Sequence, residues 1–279
     1  MRSPEEGVNL NIGIIGCGFI GTTIAGAVNL KEEVVSINLI DLDFENAVEL
    51  SSKLSKGTAY AMDDLEVFLE ASDLVIESAS QNAVSDLMPG AVEKGKDIMI
   101  LSVGALVDDD LWNSLKKSAK EHGSRIFIPS GAVSGIDGIL SGSMAGIDCV
   151  TLTVRKPPGG LSLPSSMREL AGKMKNLNEP LLLFEGTARE AVKMFPKNVN
   201  VAATIALAGV GFDRTSVKII ADPAVHRNQQ RIEVRGRFGE MRLEMMNQPS
   251  TTNPRTSYLA PLSAIAVIEK LISGINIGN

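Results

Sequence analysis

With 279 residues, 44% of them apolar and 22% charged, the chain has the make-up of a folded soluble protein long enough for two domains. A net charge of −6 and only 4% aromatic residues lack the cationic surface and stacking rings that a nucleic-acid partner demands, and no apolar run is long enough for a membrane span. Cys17 and Cys149 lie far apart and form no metal-type pair, and the start carries no apolar signal segment, so a reduced cytoplasmic protein is expected.

In chain order, residues 10–16 (LNIGIIG) read as a buried strand and 22–30 as a helix. A strand over 34–41, a helix over 44–54, a short helix near 64–70 and a strand over 73–79 follow. Another helical stretch leads to a strand over 96–104, a helix over 109–123 and a strand over 125–131. Strands alternating with helices predict parallel βαβ units and a doubly wound α/β sheet of Rossmann type. After Gly131 the pattern changes. Strands are predicted at 148–160, 181–186, 216–223, 231–239 and 241–247, with a helix over 187–195 that opens on a Thr187–Glu190 capping box. Their close spacing predicts a second α+β domain with an open mixed sheet. A last helix over 257–272 is expected to return to the first domain. The division expected is therefore 1–131, completed by 253–279, as the dinucleotide-binding domain, and 132–252 as the substrate and dimerisation domain.

Gly16, Gly18 and Gly21 stand at G-x-G-x-x-G spacing where the first strand meets the first helix. Such glycines permit a tight turn, let a pyrophosphate approach the backbone and allow close helix–strand packing. The helix opening at Phe19 and Ile20 would aim its N–H groups at the phosphates. Asp41, ending the second strand, stands where an acid binds the adenosine ribose and repels a 2′-phosphate, which favours NAD over NADP; Asp43 is its competitor. Ala79, Ser80 and Gln81 follow the next long strand, at the carboxyl edge of the sheet where ligands sit, and SVGAL (102–106) follows one strand later.

Of two histidines, His122 ends a predicted helix and reads as a surface ring. His226 lies in a polar loop between two strands of the second domain, and an imidazole there suits proton transfer near neutral pH. FPKNVN (195–200) places Lys197, Asn198 and Asn200 at a helix N-terminus, where they either cap the helix or meet a carboxylate or carboxamide. With Arg227, Lys197 and Asn200 are the candidates to bind substrate. No metal is called for, since a nicotinamide cofactor takes the hydride itself.

Seven segments in order, GIIGCGFIG, ESASQ, SVGAL, PSGAVSGIDGI, FPKNVNVAA, ADP…HRN and NPRTS, give the chain a resemblance to the L-aspartate dehydrogenase family over nearly its whole length. The resemblance implies a Rossmann domain, a second domain on an open sheet, and oxidation of L-aspartate with NAD or NADP to an imine that feeds NAD biosynthesis. It implies that His226 is the family's catalytic histidine, that Ala132 and Asn198 (or Asn200) contact the cofactor, and that the chain forms a homodimer. The rival readings are a dihydrodipicolinate-reductase-like or homoserine-dehydrogenase-like enzyme, or a catalytically silent NAD-binding sensor. The first would show a His-His pair, which is absent.

Overall fold

The computed structural model describes residues 9–161, 163, 167, 172, 174, 177–195, 200–250 and 256–278. It divides into two units, one of Met1–Pro129 with Pro261–Asn276, the other of Ser130–Ala260 with Ile277–Asn279.

In the first unit, β1 (Leu10–Ile15), β2 (Val34–Ile40), β3 (Gly57–Tyr60), β4 (Leu74–Glu77), β5 (Asp97–Ile100) and β6 (Ile126–Phe127) form one parallel sheet in the order β3-β2-β1-β4-β5-β6. This is the doubly wound order whose direction reverses between β1 and β4, opening a crevice at the carboxyl ends of those strands. The apolar strands are buried on both faces, as covered parallel strands must be. The helices are α1 (Phe19–Val28), α2 (Phe44–Ser52), α3 (Leu65–Glu70), α4 (Gln81–Glu93) and α5 (Asp109–His122). Asp43, Ser80 and Asp108 cap α2, α4 and α5 through side-chain oxygens, and α5 ends on Gly123 in the left-handed region at φ 74°. Ile12, Ile14, Ile24, Leu39, Ile76 and Met99 make the core, joined by Ala264 and Ile268 of the chain's last helix. Each such isoleucine contributes about 1.5–3 kcal/mol by leaving water.

The second unit holds α6 (Ile136–Ala145), β7 (Ile147–Lys156), β8 (Leu181–Thr187), α7 (Ala188–Met194), α8 (Asn200–Ala208), β9 (Thr215–Ala221), β10 (Asn228–Gly236) and β11 (Gly239–Asn247); α9 (Leu259–Ser273) follows. Its mixed sheet runs β11-β10-β7-β9-β8, with β7 and β9 parallel and the other neighbours antiparallel. α6, α7 and α8 pack on one face, and the alternation of β7 follows from this. Val150, Leu152 and Val154 are buried while Thr151, Thr153 and Arg155 are half-exposed. The open face carries a groove of about 380 Å³ lined by Arg155, Lys218, Arg231, Glu233, Glu244 and Met246 among others.

Four elements differ from the sequence reading. β3 and α6 were not expected, and β6 shrinks to two residues. β5 ends at Ile100, and 103–107 wind into a 3-10 turn rather than extending the strand. α6 escapes periodicity because glycines occupy its packing face. A Cβ at Gly138 would lie 2.7 Å from the Met241 methyl, and one at Gly142 2.8 Å from the Phe238 ring. The glycines let the β10–β11 hairpin lie against the helix. Among the described residues no helix is long and apolar enough to cross a membrane.

Candidate active site

The turn from β1 to α1 is built by backbone. Gly16 sits at φ +94°, where a side chain is strained, and its N–H donates to the Ile40 carbonyl at 2.9 Å. A Cβ at Gly21 would collide with the Gly16 carbonyl oxygen, so helix and turn meet at a distance only glycine allows. Gly18, by contrast, faces open space, with nothing within 4 Å of where its Cβ would stand. That bare flank at the N-terminal end of α1 is the cradle a pyrophosphate requires, so the residues present fit a dinucleotide. Phe19 and Ile20 open the helix beside it.

Asp41 follows β2 directly. Its Oδ2 accepts from the Cys17 N–H at 2.7 Å, and its Oδ1 from the Asp43 N–H at 3.0 Å. The carboxylate is thereby tied to the glycine turn, while Asp43 is occupied in capping α2. Burial, and next the Asp41 charge, push the neighbouring Cys17 thiol up to about 12. Gly16, Asp41, Ala79 and Ser80 line one cleft of about 300 Å³, together with Leu42, Met62 and Asp86. Sequence reasoning missed these last three. Ser80 caps α4 by accepting from Ala83 N–H at 3.2 Å, and Gln81 is that helix's first residue.

Glu77, fully buried at the end of β4, organises these loops and was also missed. Its Oε1 accepts from the Ala79 N–H at 2.8 Å and from the Ser102 hydroxyl at 2.8 Å, and its Oε2 from the Ser102 N–H at 2.9 Å. Burial raises its pKa, and the donors at Ser102, Ala79 and Ser80 oppose that rise. The carboxylate thus joins the β4 and β5 loops. Ser78 joins the β4 loop to the glycine turn, its hydroxyl donating to the Gly16 carbonyl at 2.9 Å.

In the second unit, His226 and Arg227 are exposed in the turn between β9 and β10. Buried Asp222 pins that turn, accepting from Arg155 Nη1 at 2.7 Å and from the Ala224 N–H at 2.9 Å. The covered face of the sheet turns polar at this end, where Lys156, Asn228, Gln230 and Asn247 are all buried. Asn247 Nδ2 donates to Gln230 Oε1 at 2.9 Å and to the Ala132 carbonyl at 2.6 Å. Ala132 is therefore held at the sheet end from which the His226 turn departs. Asn200, the first residue of α8, is exposed. Lys197 and Asn198 lie outside the described residues. His122 is exposed at the end of α5, with its Nδ1 3.0 Å from the Ser118 carbonyl. Among the described residues no cluster of three His, Cys, Asp or Glu side chains could hold a metal ion.

Residues 16–129 match a family model described as homoserine dehydrogenase, NAD binding domain, and residues 137–271 one described as aspartate dehydrogenase, C-terminal. The chain is 48% identical over 270 residues to an L-aspartate dehydrogenase of Methanosarcina acetivorans, covering 96% of this chain and 99% of that one. It belongs to the L-aspartate dehydrogenase family. A second relative with that name, from Methanosarcina barkeri, is 47% identical over 96% of this chain and 99% of its own. A crystal structure of aspartate dehydrogenase from Thermotoga maritima superposes with a TM-score of 0.75 at 28% identity, covering 96% of this chain and 99% of that one. Family and fold agree that the first unit is a pyridine-nucleotide-binding domain.

Proposed function

We propose that the chain oxidises L-aspartate to iminoaspartate, which hydrolyses to oxaloacetate and ammonia or feeds NAD biosynthesis. The first unit serves as the nucleotide domain and the second as the substrate domain. The observation that carries the reading is the bare cradle at Gly18 beside Asp41 in a chain 48% identical to an L-aspartate dehydrogenase. The glycine turn, the α1 N-terminus and Asp41 would hold the nucleotide, which would supply the hydride acceptor for the substrate Cα.

The protein's part is proton handling and orientation. An ammonium has no lone pair, so the amino group must lose a proton before a C=N bond can form. His226, exposed on its pinned turn, takes that proton and passes it to water. It then assists attack of water on the imine carbon, which releases ammonia. Ala132 supplies backbone to the cofactor, and Asn198 or Asn200 a carboxamide, as the resemblance implies. Arg227 and Lys197 are the cations offered to the substrate carboxylates.

NAD is preferred to NADP because two carboxylates, Asp41 and Asp86, line the cleft with no lysine or arginine among its described lining residues. A 2′-phosphate there meets like charge. The reading also makes the chain a cytoplasmic homodimer, which light scattering on the purified protein checks for oligomeric state. The deciding experiment follows NADH formation on adding L-aspartate, with NADP, L-homoserine and L-alanine in parallel arms. Turnover with aspartate and NAD is expected; its absence, or faster turnover of another substrate, would sink the reading.

A further inference from the structure

Among the described residues, the buried polar end of the second sheet holds two donors, Asn228 Nδ2 and the Lys156 ammonium, that meet no acceptor. Gln229 of β10 stands opposite Arg155 of β7, and Gln230 opposite Val154. One step further, the same register sets Asn228 against Lys156. Both belong to the helix-covered face, since their pattern continues that of Val154 and Gln230, and they are 3% and 5% exposed. Asn228 Nδ2 has no hydrogen-bond partner. Among the described residues the Lys156 ammonium has neither an ion pair nor a hydrogen bond. The carboxylate closest along the fold, Asp222, follows the β9 residue Ala221 that pairs with Lys156, and it is already committed to Arg155 and the Ala224 N–H.

Such an arrangement is costly for a purely structural role. An unpaired buried charge and an unmade amide hydrogen bond each destabilise the fold, and native proteins keep such groups where something else completes them. Desolvation alone brings the Lys156 ammonium down to about 8, as expected for a cation with no anion beside it. Both unpaired groups are donors and one is cationic, so the missing partner is an anion with at least two acceptor atoms. A carboxylate supplies two oxygens for two donors.

We infer that Lys156 and Asn228 form a subsite that receives one carboxylate of a dicarboxylate substrate. The inference rests on the L-aspartate reading and adds to it residues that neither the glycine turn nor the His226 turn supplies. Asn228 begins the strand two residues after His226, so a carboxylate bound there would tether the amino acid beside the group that takes its proton. Lys156 and Asn228 bind and orient; they take no part in bond making.

Lys156→Met keeps the length of the side chain and suits an apolar face, so it should fold with a melting temperature at or above that of the parent. It should raise KM for L-aspartate about 10- to 100-fold, the scale of a charge-assisted hydrogen bond, with a much smaller change in kcat. The dissociation constant for NADH should stay within about twofold. Succinate, a dicarboxylate that cannot react, gives the independent readout: titrated calorimetrically into the NADH complex, it should bind the variant weaker by the same factor. Asn228→Leu should weaken it less. A folded Lys156→Met protein that binds succinate as well as the parent overturns the subsite, as does a loss confined to NADH. A parent enzyme inactive on aspartate sinks the functional reading alone. The succinate comparison still decides the subsite, and a parent that binds succinate no better than the variant overturns it.

Discussion

The two units answer the same problem, an anionic ligand, with opposite materials. In the first, the glycine turn offers backbone, and its polar side chains are satisfied internally: Asp41 by Cys17 and Asp43, Glu77 by Ala79 and Ser102. In the second, side chains from separate strands converge at a sheet end, where among the described residues Asn228 Nδ2 has no partner and Lys156 has no anion beside it. The first is a rigid cradle that needs its ligand little for its own stability. The second carries a folding penalty that a ligand relieves. Stability and ligand response should therefore separate between the units.

His226 should show the largest effect, and one without a folding cost. Replacing it with alanine should lower kcat by about 10²–10⁴-fold, the usual worth of a positioned proton acceptor. NADH affinity should hold, and the melting temperature should shift by no more than a few degrees because the ring is exposed. Near parental turnover in a folded variant would remove His226 from the mechanism.

Lys156 should produce the next effect, a stability difference that depends on pH. Its folded pKa, about 8, lies below the ordinary 10.5, so between those values the unfolded chain holds more protons and stability rises with pH. Below pH 8 the full penalty of about 3 kcal/mol applies. Urea midpoints of the parent and of Lys156→Met should differ most at pH 7 and converge towards pH 10.5. Parallel curves would mean that the ammonium is not held out of water.

Glu77→Gln tests the cradle. The amide would turn a donor towards an N–H or hydroxyl that now donates, at a cost of about 1–3 kcal/mol in unfolding free energy. Because Ala79 and Ser80 line the cleft, KM for NAD should rise while KM for aspartate stays put. Equal rises in both would place Glu77 in general packing instead. Asp41→Ala should have a smaller and more specific result, shifting the NAD/NADP ratio of kcat/KM by about 1–2 kcal/mol towards NADP. An unchanged ratio would move the ribose contact elsewhere, with Asp86 the first alternative. His122→Ala should change neither turnover nor stability measurably.

The same contrast explains what could be read from sequence. Gly16, Gly18 and Gly21 lie close together in sequence and their spacing is dictated by backbone geometry, so the glycine turn was legible, as was the alternation of strand and helix around it. The short, half-exposed β3 lacked an apolar run, and α6 was hidden by Gly138 and Gly142, which serve its neighbours rather than its own periodicity. Glu77 and Lys156 left a signal of one kind. Each is a lone charge at a position where its strand's pattern demands an apolar residue: Leu-Val-Ile-Glu in β4, and Val150, Leu152, Val154, then Lys156 in β7. Ser102, which donates to Glu77, and Asn228, which lies across from Lys156, are 25 and 72 residues away in sequence, and only the fold brings them together.

The thiol of Cys17 carries a practical consequence. Burial, and next the Asp41 charge, push it up to about 12, so at neutral pH the thiol stays protonated and resists alkylation and oxidation. Peroxide that converts ordinary exposed thiols to sulfenic acids should spare the glycine turn. The same silence makes Cys17 a gauge. Iodoacetamide should reach it only when the glycine turn parts from Asp41, so its labelling rate, set against that of Cys149, times the opening of the nucleotide cradle.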